Sequence, residues 1–323
     1  MRTLRPEPPQ HRDPVVLFIA GSFRSGSTVL DNLLGQIEGF ASVGELRSLW
    51  HNGLLEGRIC GCGRHVRDCD FWTEVLTTGF GDDQPAPRIV TELQDAHLRT
   101  RPRQLLGLRR AAAGEAPAGL RRYLSIIETT YRAIGAVAGA DVIVDSSKVP
   151  ADAYALLTLS ELDVYVLHLV RDPRAVAYSS ARAKPSPDDP NSASMITQRP
   201  FRTAVGWTVW NGVLERMVRP AAGPRFMRLR YEDFASDPRS ATSRILDFAG
   251  AGDRELPFVG ERTVRFGLTH GPSGNPDRLA RGTSEIRLSE GWRDGMSGGA
   301  RLAATIPALP LMGAYGYRLG RGG

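Results

Sequence analysis

Lysine is almost missing from this chain of 323 residues: Lys148 and Lys184 are the only two among 41 basic side chains, the rest being arginine. An ammonium is a compact, rotatable point charge and a guanidinium a planar fork, so each lysine is a candidate for a role arginine cannot take. Long apolar runs are missing too. No stretch reaches the roughly 18 residues that span a bilayer. Met1–Pro14 is rich in Pro and Arg, has no apolar run before the first strand, and reads as a short disordered lead rather than a signal peptide. A cytoplasmic protein is expected. Blocks of like charge are also lacking: 41 basic against 35 acidic residues give +6, without a long basic run, zinc-finger or basic-helix pattern. That balance argues against nucleic acid and suits a small polyanion. Cysteine is limited to three, in Cys60-Gly-Cys62-Gly-Arg-His65 and Cys69. With His65 they would make a Cys3His set, but one packed within ten residues, tighter than paired zinc knuckles. A reduced, loop-stabilising cluster or a local disulfide reads at least as well, a cytosolic setting disfavours the disulfide, and no metal is assigned.

What is present is a repeating strand-to-helix pattern. Val15–Ala20 is a short apolar run with β-branched residues, a buried strand ending at Gly21. After the turn to Gly26, Val29, Leu30, Leu33, Leu34 and Ile37 share a helical face over 28–37. Val142–Val144 runs into Asp145-Ser-Ser-Lys148-Val-Pro150 and a helix to about Ser160. Val164–Val170 precedes Arg171-Asp-Pro173, with the proline opening a helix. Phe226–Leu229 is a further strand. Helices are expected over 88–110, 119–138 and 201–218, the last with Phe201, Val205, Val209, Val213 and Met217 as a core-packing stripe. Alternating strands and helices predict an α/β fold, a mostly parallel sheet with helices on both faces. One domain over 15–323, with a helical insertion around 51–138, is expected. The loops at 183–198, a candidate lid, and 269–281 carry the remaining Pro and Gly.

Gly21-Ser-Phe-Arg24-Ser25-Gly26-Ser27-Thr28 stands where α/β proteins bind phosphate, on backbone amides and the dipole of the next helix. Set against G-x-x-x-x-G-K-[ST], both glycines match but Ser27 replaces the lysine that reaches a triphosphate. The cation is Arg24, inside the turn.

Arg24-Ser-Gly-Ser-Thr28 after a strand resembles the 5′-phosphosulfate loop of sulfotransferases that use 3′-phosphoadenosine-5′-phosphosulfate (PAPS), especially the bacterial, carbohydrate and protein-tyrosine branches. The resemblance extends along most of the chain. It implies a P-loop NTPase-like three-layer sandwich and PAPS as donor, with no metal required. It assigns Arg24, Ser25, Gly26, Ser27 and Thr28 to the 5′ end of the donor. Arg171 at a strand end and Ser179 eight residues on resemble the 3′-phosphate grip, although Arg171-Asp172 alone reads equally as a structural ion pair. Val43-Gly44-Glu45 resembles the segment carrying the catalytic base; a surface or capping glutamate is the bland reading, and His51 or His168 are substitutes, His168 reading better as a core histidine. Lys148 in Asp-Ser-Ser-Lys resembles the cation that stabilises the transferring group, a task Arg24 would share. Tyr231 of Arg230-Tyr-Glu-Asp-Phe234 resembles the tyrosine near the adenine, and also reads as an aromatic closing the core. Ser273 resembles a further donor and Arg278 or Arg281 a phosphate contact of the C-terminal nucleotide loop, near Trp292.

Sulfuryl transfer, like phosphoryl transfer, is governed by positioning and electrostatics. The expected reaction moves the sulfuryl group to a hydroxyl or amine of a small-molecule, glycan or peptide acceptor, leaving 3′-phosphoadenosine 5′-phosphate (PAP). The rivals are a P-loop small-molecule kinase, which lacks its lysine here, and a catalytically silent PAP-binding protein, which would not need both Glu45 and Lys148.

Overall fold

Val15–Gly21 (β1) is apolar throughout because both of its faces are covered: Val16, Phe18 and Ala20 point into one core and Leu17 and Ile19 into another. The structure, a computed structural model, describes residues 13–183, 185, 187–188 and 197–319. The N-terminal lead through residue 12, Lys184 and most of the expected lid lie outside the described residues. β1 pairs in parallel with Val142–Lys148 (β3) on one side and Val164–Val170 (β4) on the other. Phe40–Ser42 (β2) and Phe226–Arg230 (β5) flank these, giving the parallel order β2-β3-β1-β4-β5. Thus the sheet is parallel and helices cover both faces, as the alternating pattern requires.

Ser27–Leu34 (α1) and Pro238–Phe248 pack on the Leu17/Ile19 face. On the other face lie Asp70–Phe80 (α2), Pro87–His97 (α3), Pro102–Ala112 (α4), Ala118–Ala138 (α5) and Pro150–Leu156 (α6). Pro173–Ser180 (α7) and Pro200–Val213 (α8) pack together beyond β4. Thr263–Phe266 (β6) and Gly282–Glu285 (β7) form a separate antiparallel pair.

Three expectations need correction. The helix expected over 88–110 is two, α3 and α4. Pro102 cannot continue a preceding helix, and it forces Arg101 into an extended conformation (φ −124°, ψ 150°). β3 continues past Val144 to Lys148, so this lysine sits at a strand end instead of on a free loop. The apolar row of α8 is not core: Phe201, Val205 and Val209 are exposed. The buried side carries Thr203, Trp207 and Asn211, because polar partners await it. Trp207 Nε1 donates to Arg171 O (3.0 Å), and Asn211 Oδ1 meets His168 Nε2 at 2.7 Å. A polar side chain that is satisfied inside defeats a pattern based on hydrophobicity. No helix among the described residues is long and apolar enough to cross a membrane.

Candidate active site

The Gly21–Gly26 turn leaves β1 where its two neighbours lead to opposite halves of the sheet, the switch point at which parallel sheets take ligands. Gly26 is required there: its φ is 95°, and a Cβ would stand 2.3 Å from the ring of Tyr231. α1 then starts with no side-chain cap, leaving its first amides for an anion. Ser22 Oγ and Ser25 Oγ are buried without a partner. A buried polar atom left unpaired costs about 1–3 kcal/mol; at the uncapped start of α1 it is Ser27 and Thr28, and not Ser25, that line the cavity beside the turn.

Among the described residues, two non-glycine residues have left-handed backbone: Arg24 (φ 66°) and Lys148 (φ 70°). Such conformations cost on the order of 1–3 kcal/mol and gather at functional sites. Both cations therefore hold strained positions at the ends of adjacent strands.

Arg24 Nη2 donates to Ser179 O at 2.9 Å, and Arg171 Nη1 donates to Arg24 O at 3.1 Å. The two segments expected to grip opposite ends of one nucleotide are in direct contact. Burial lowers the pKa of Arg24, with Asp277 opposing and Arg171 adding to the shift. Arg171 is not paired to Asp172. That carboxylate binds Arg174 (2.6 Å) and caps α7 through Arg174 N (2.8 Å), while the Arg171 guanidinium lies 4.5 Å over the Tyr231 ring. Glu232 ties strand ends together, accepting from Asp172 N (2.9 Å) and from the Tyr317 hydroxyl (2.8 Å). The result is an arginine and a tyrosine face left beside the turn.

Glu45 and Lys148 meet across 103 positions of chain: Lys148 Nζ lies 2.7 Å from Glu45 Oε1 and 2.8 Å from Ser146 O. The backbone holds both in place. Ser146 N donates to Gly44 O (2.7 Å), and Arg47 N donates to Ser147 Oγ (3.0 Å). Gly44 (φ 61°) also lets the chain approach Gly271, whose Cα would be 2.8 Å from an added Cβ. Beneath them, Asp145 accepts from Ser147 N (2.7 Å) and the Tyr131 hydroxyl (2.6 Å), and burial pushes its pKa up to about 6. Asp31, wholly buried and bonded by Ser42 Oγ at 2.9 Å, is pushed up to about 8 for the same reason.

Two cavities open on this constellation. One, of about 390 Å³, is lined by Gly26, Ser27, Thr28, Arg171, Ser179 and Tyr231, with Lys148 also in its wall. The other, of about 590 Å³, is lined on the apolar side by Val176, Val205, Trp207 and Trp210, with Arg58 and Arg202 as cations. Phe23, Arg24 and Glu45 line both. The Phe23 and Trp210 rings lie 4.7 Å apart at the junction.

Not every expected residue joins the first cavity. Ser273 lines the second one, bonded by Asn52 Nδ2 at 3.2 Å. Arg278 lines neither. It is buried and donates to Ile59 O (2.7 Å) and Gly274 O (3.1 Å), so it braces the loop instead of reaching a phosphate. Arg281 donates to Ala280 O at 2.8 Å and also reaches Gly61 O. His51 is half exposed against Glu56, and His168 is fully buried, as expected of a core histidine. The sequence reading missed Phe23, Trp210 and the arginines Arg58 and Arg202, which come from three separate segments and share no local motif.

A family model described as the sulfotransferase family matches residues 14–255. Among solved structures, the sulfotransferase domain from the Synechococcus PCC 7002 olefin synthase is similar, with 22% identity and a TM-score of 0.51, over 97% of this chain and 99% of that one. The sulfotransferase domain from the curacin biosynthetic pathway has 16% identity and a TM-score of 0.47, over 96% and 100% of the two chains. No curated protein matches. The structural likeness bears on the fold alone; the matched span of the family model is well over half of the chain and contains the anion-binding turn, the Glu45–Lys148 pair and Arg171. The chain belongs to the sulfotransferase family.

Proposed function

We propose that the protein transfers the sulfuryl group of PAPS to a hydroxyl or amine of an acceptor, releasing PAP. The observation that carries this is the junction: the cavity beside the anion-binding turn and the cavity walled by Trp207 and Trp210 share Arg24 and Glu45. In-line transfer needs that geometry, with the donor on one side, the acceptor on the other and a base between them.

The residues divide the work by position. Amides and hydroxyls of Ser25–Thr28 hold the 5′-phosphosulfate end, Arg171 and Ser179 the 3′-phosphate, and the Tyr231 face the base. Arg171 brings a planar fork suited to bidentate phosphate binding. Glu45 takes the proton as the acceptor oxygen bonds to sulfur and the bond from sulfur to the bridging phosphate oxygen breaks. Lys148 and Arg24, strained into place beforehand, face the charge that grows on the bridging and sulfuryl oxygens. Preorganised cations of this kind need no rearrangement at the moment of reaction. The lining of the second cavity favours an acceptor with an aromatic or apolar body, and Arg202 favours one that also carries negative charge, Arg58 being paired with Glu56 at 2.7 Å.

Isotope-labelled PAPS, incubated with the protein and a panel of aromatic and aliphatic hydroxyl compounds, should give labelled product and PAP. Binding of PAP without transfer to any acceptor in the panel or in cell extracts would favour a silent nucleotide binder, and labelled phosphate moved from ATP would point to a kinase.

A further inference from the structure

We propose that Cys60, Cys62, Cys69 and His270 hold a structural zinc ion that fastens the 59–69 segment to the loop at 269–281. One ligand atom from each of the four lies within 4.8 Å of all the others. Tetrahedral zinc with Zn–S of about 2.3 Å and Zn–N of about 2.0–2.1 Å separates two sulfurs by about 3.8 Å, and a sulfur from a nitrogen by about 3.6 Å. Cys62 Sγ and Cys69 Sγ are 3.6 Å apart, Cys69 Sγ and His270 Nδ1 3.4 Å, and Cys60 Sγ and His270 Nδ1 3.8 Å. A disulfide would need about 2.05 Å, and all three cysteines are free thiols.

The local chain is shaped for this. Cys60 N donates to Arg64 O (2.7 Å) and Gly63 N to Cys60 O (2.8 Å), a tight turn that sends Cys60 and Cys62 to the same side. Cys69 immediately precedes α2. The imidazole of His270 is fixed by stacking on Phe71 (4.3 Å between centroids, 20° between planes), and its carbonyl accepts from Trp72 Nε1 at 2.9 Å. His65, the histidine within the cysteine run, is turned away, its Nδ1 2.6 Å from Gly57 O. The fourth ligand comes instead from 201 positions beyond Cys69, which is why local spacing looked too tight for a metal. Three sulfurs and one nitrogen at these separations match the closed Cys3His class, which is structural and leaves no open position for substrate.

None of the four ligands lines either cavity, yet what they fasten does. Gly61 N donates to Gly271 O (2.8 Å), Gly271 packs on Gly44 beside Glu45, and Ser273 and Gly274 form part of the wall of the second cavity. Zinc would thus brace the acceptor side of the site from behind. The inference stands on the four side chains and does not depend on the donor.

Plasma mass spectrometry of the full chain, purified without chelator, should find one zinc per chain. His270→Ala and Cys62→Ser should lose that equivalent, whereas His65→Ala should keep it. Should the first two fail to fold, the wild-type protein remains decisive: a strong chelator should lower its Tm, added zinc should restore it, and cobalt should give the intense visible bands of a tetrahedral thiolate site. The proposal is overturned if the wild-type protein holds no zinc and its Tm ignores added metal. It is equally overturned if zinc is lost with His65 and kept without His270.

Discussion

The proposed donor side and the proposed acceptor side of this site are built by different means. The donor side is made where strands end: the turn after β1, Lys148 at the end of β3 and Arg171 just past β4, all referred to one parallel sheet. The acceptor side is assembled from separate segments around Asn52 and Arg58, Arg202 to Trp210 and Ser273. Phosphate can be held by backbone amides and a few cations at fixed offsets, so its site leaves a contiguous trace in the sequence. An apolar wall can be made from almost any large side chains that meet in space, so it leaves none.

That contrast can be broken by mutation. The largest effect should fall on Glu45, one of the three residues that line both cavities. Glu45→Gln keeps an acceptor for Lys148 but removes the proposed base; turnover should drop by roughly 10²–10⁴-fold with PAP affinity nearly intact. Steady-state kinetics and calorimetry together check this, and unchanged turnover would remove Glu45 from the chemistry. Next, Trp210→Ala should raise the acceptor KM about tenfold through lost apolar contact while leaving PAP binding alone. A matching loss of PAP affinity would show that the two cavities do not divide donor from acceptor.

The smallest effect concerns stability. Burial raises Asp31 from 3.8 to about 8, so the folded state holds this proton more tightly than the unfolded chain does. Its contribution is complete below about pH 4 and is lost as the pH climbs through about 8. Asp31→Asn should flatten that decline, so the Tm of the variant gains on the wild type by a few degrees between mildly acidic and mildly alkaline buffer. Parallel Tm profiles would mean that Asp31 is solvated or paired more fully than the fold shows.

Much of the sheet was legible because β1, β4 and the first three residues of β3 are short apolar runs, whereas β5 alternates Met227 and Leu229 with Arg228 and Arg230. β2 escaped notice, since three residues show no periodicity. The α8 row misled because satisfied polar groups, Asn211 and Thr203, occupy its inner face while Phe201 and Val209 stay outside. Glu45 and Lys148 were legible as separate candidates, but their ion pair was not, since it depends on Ser146 N meeting Gly44 O. Arg278 shows the opposite failure: its segment resembled a phosphate contact, yet Ile59 and Gly274 carbonyls take its guanidinium. The His65 to His270 exchange has the same root. Local spacing records which residues are near in the chain, and only the fold records which are near in space.

The most direct test is nucleotide affinity measured with and without Arg171. If the cavity beside the turn holds both ends of one bisphosphorylated adenosine, Arg171→Ala should weaken PAP by roughly 10- to 100-fold. Adenosine 5′-phosphosulfate, which lacks the 3′-phosphate, should be barely affected. Equal losses for the two nucleotides, or none for either, would contradict the account.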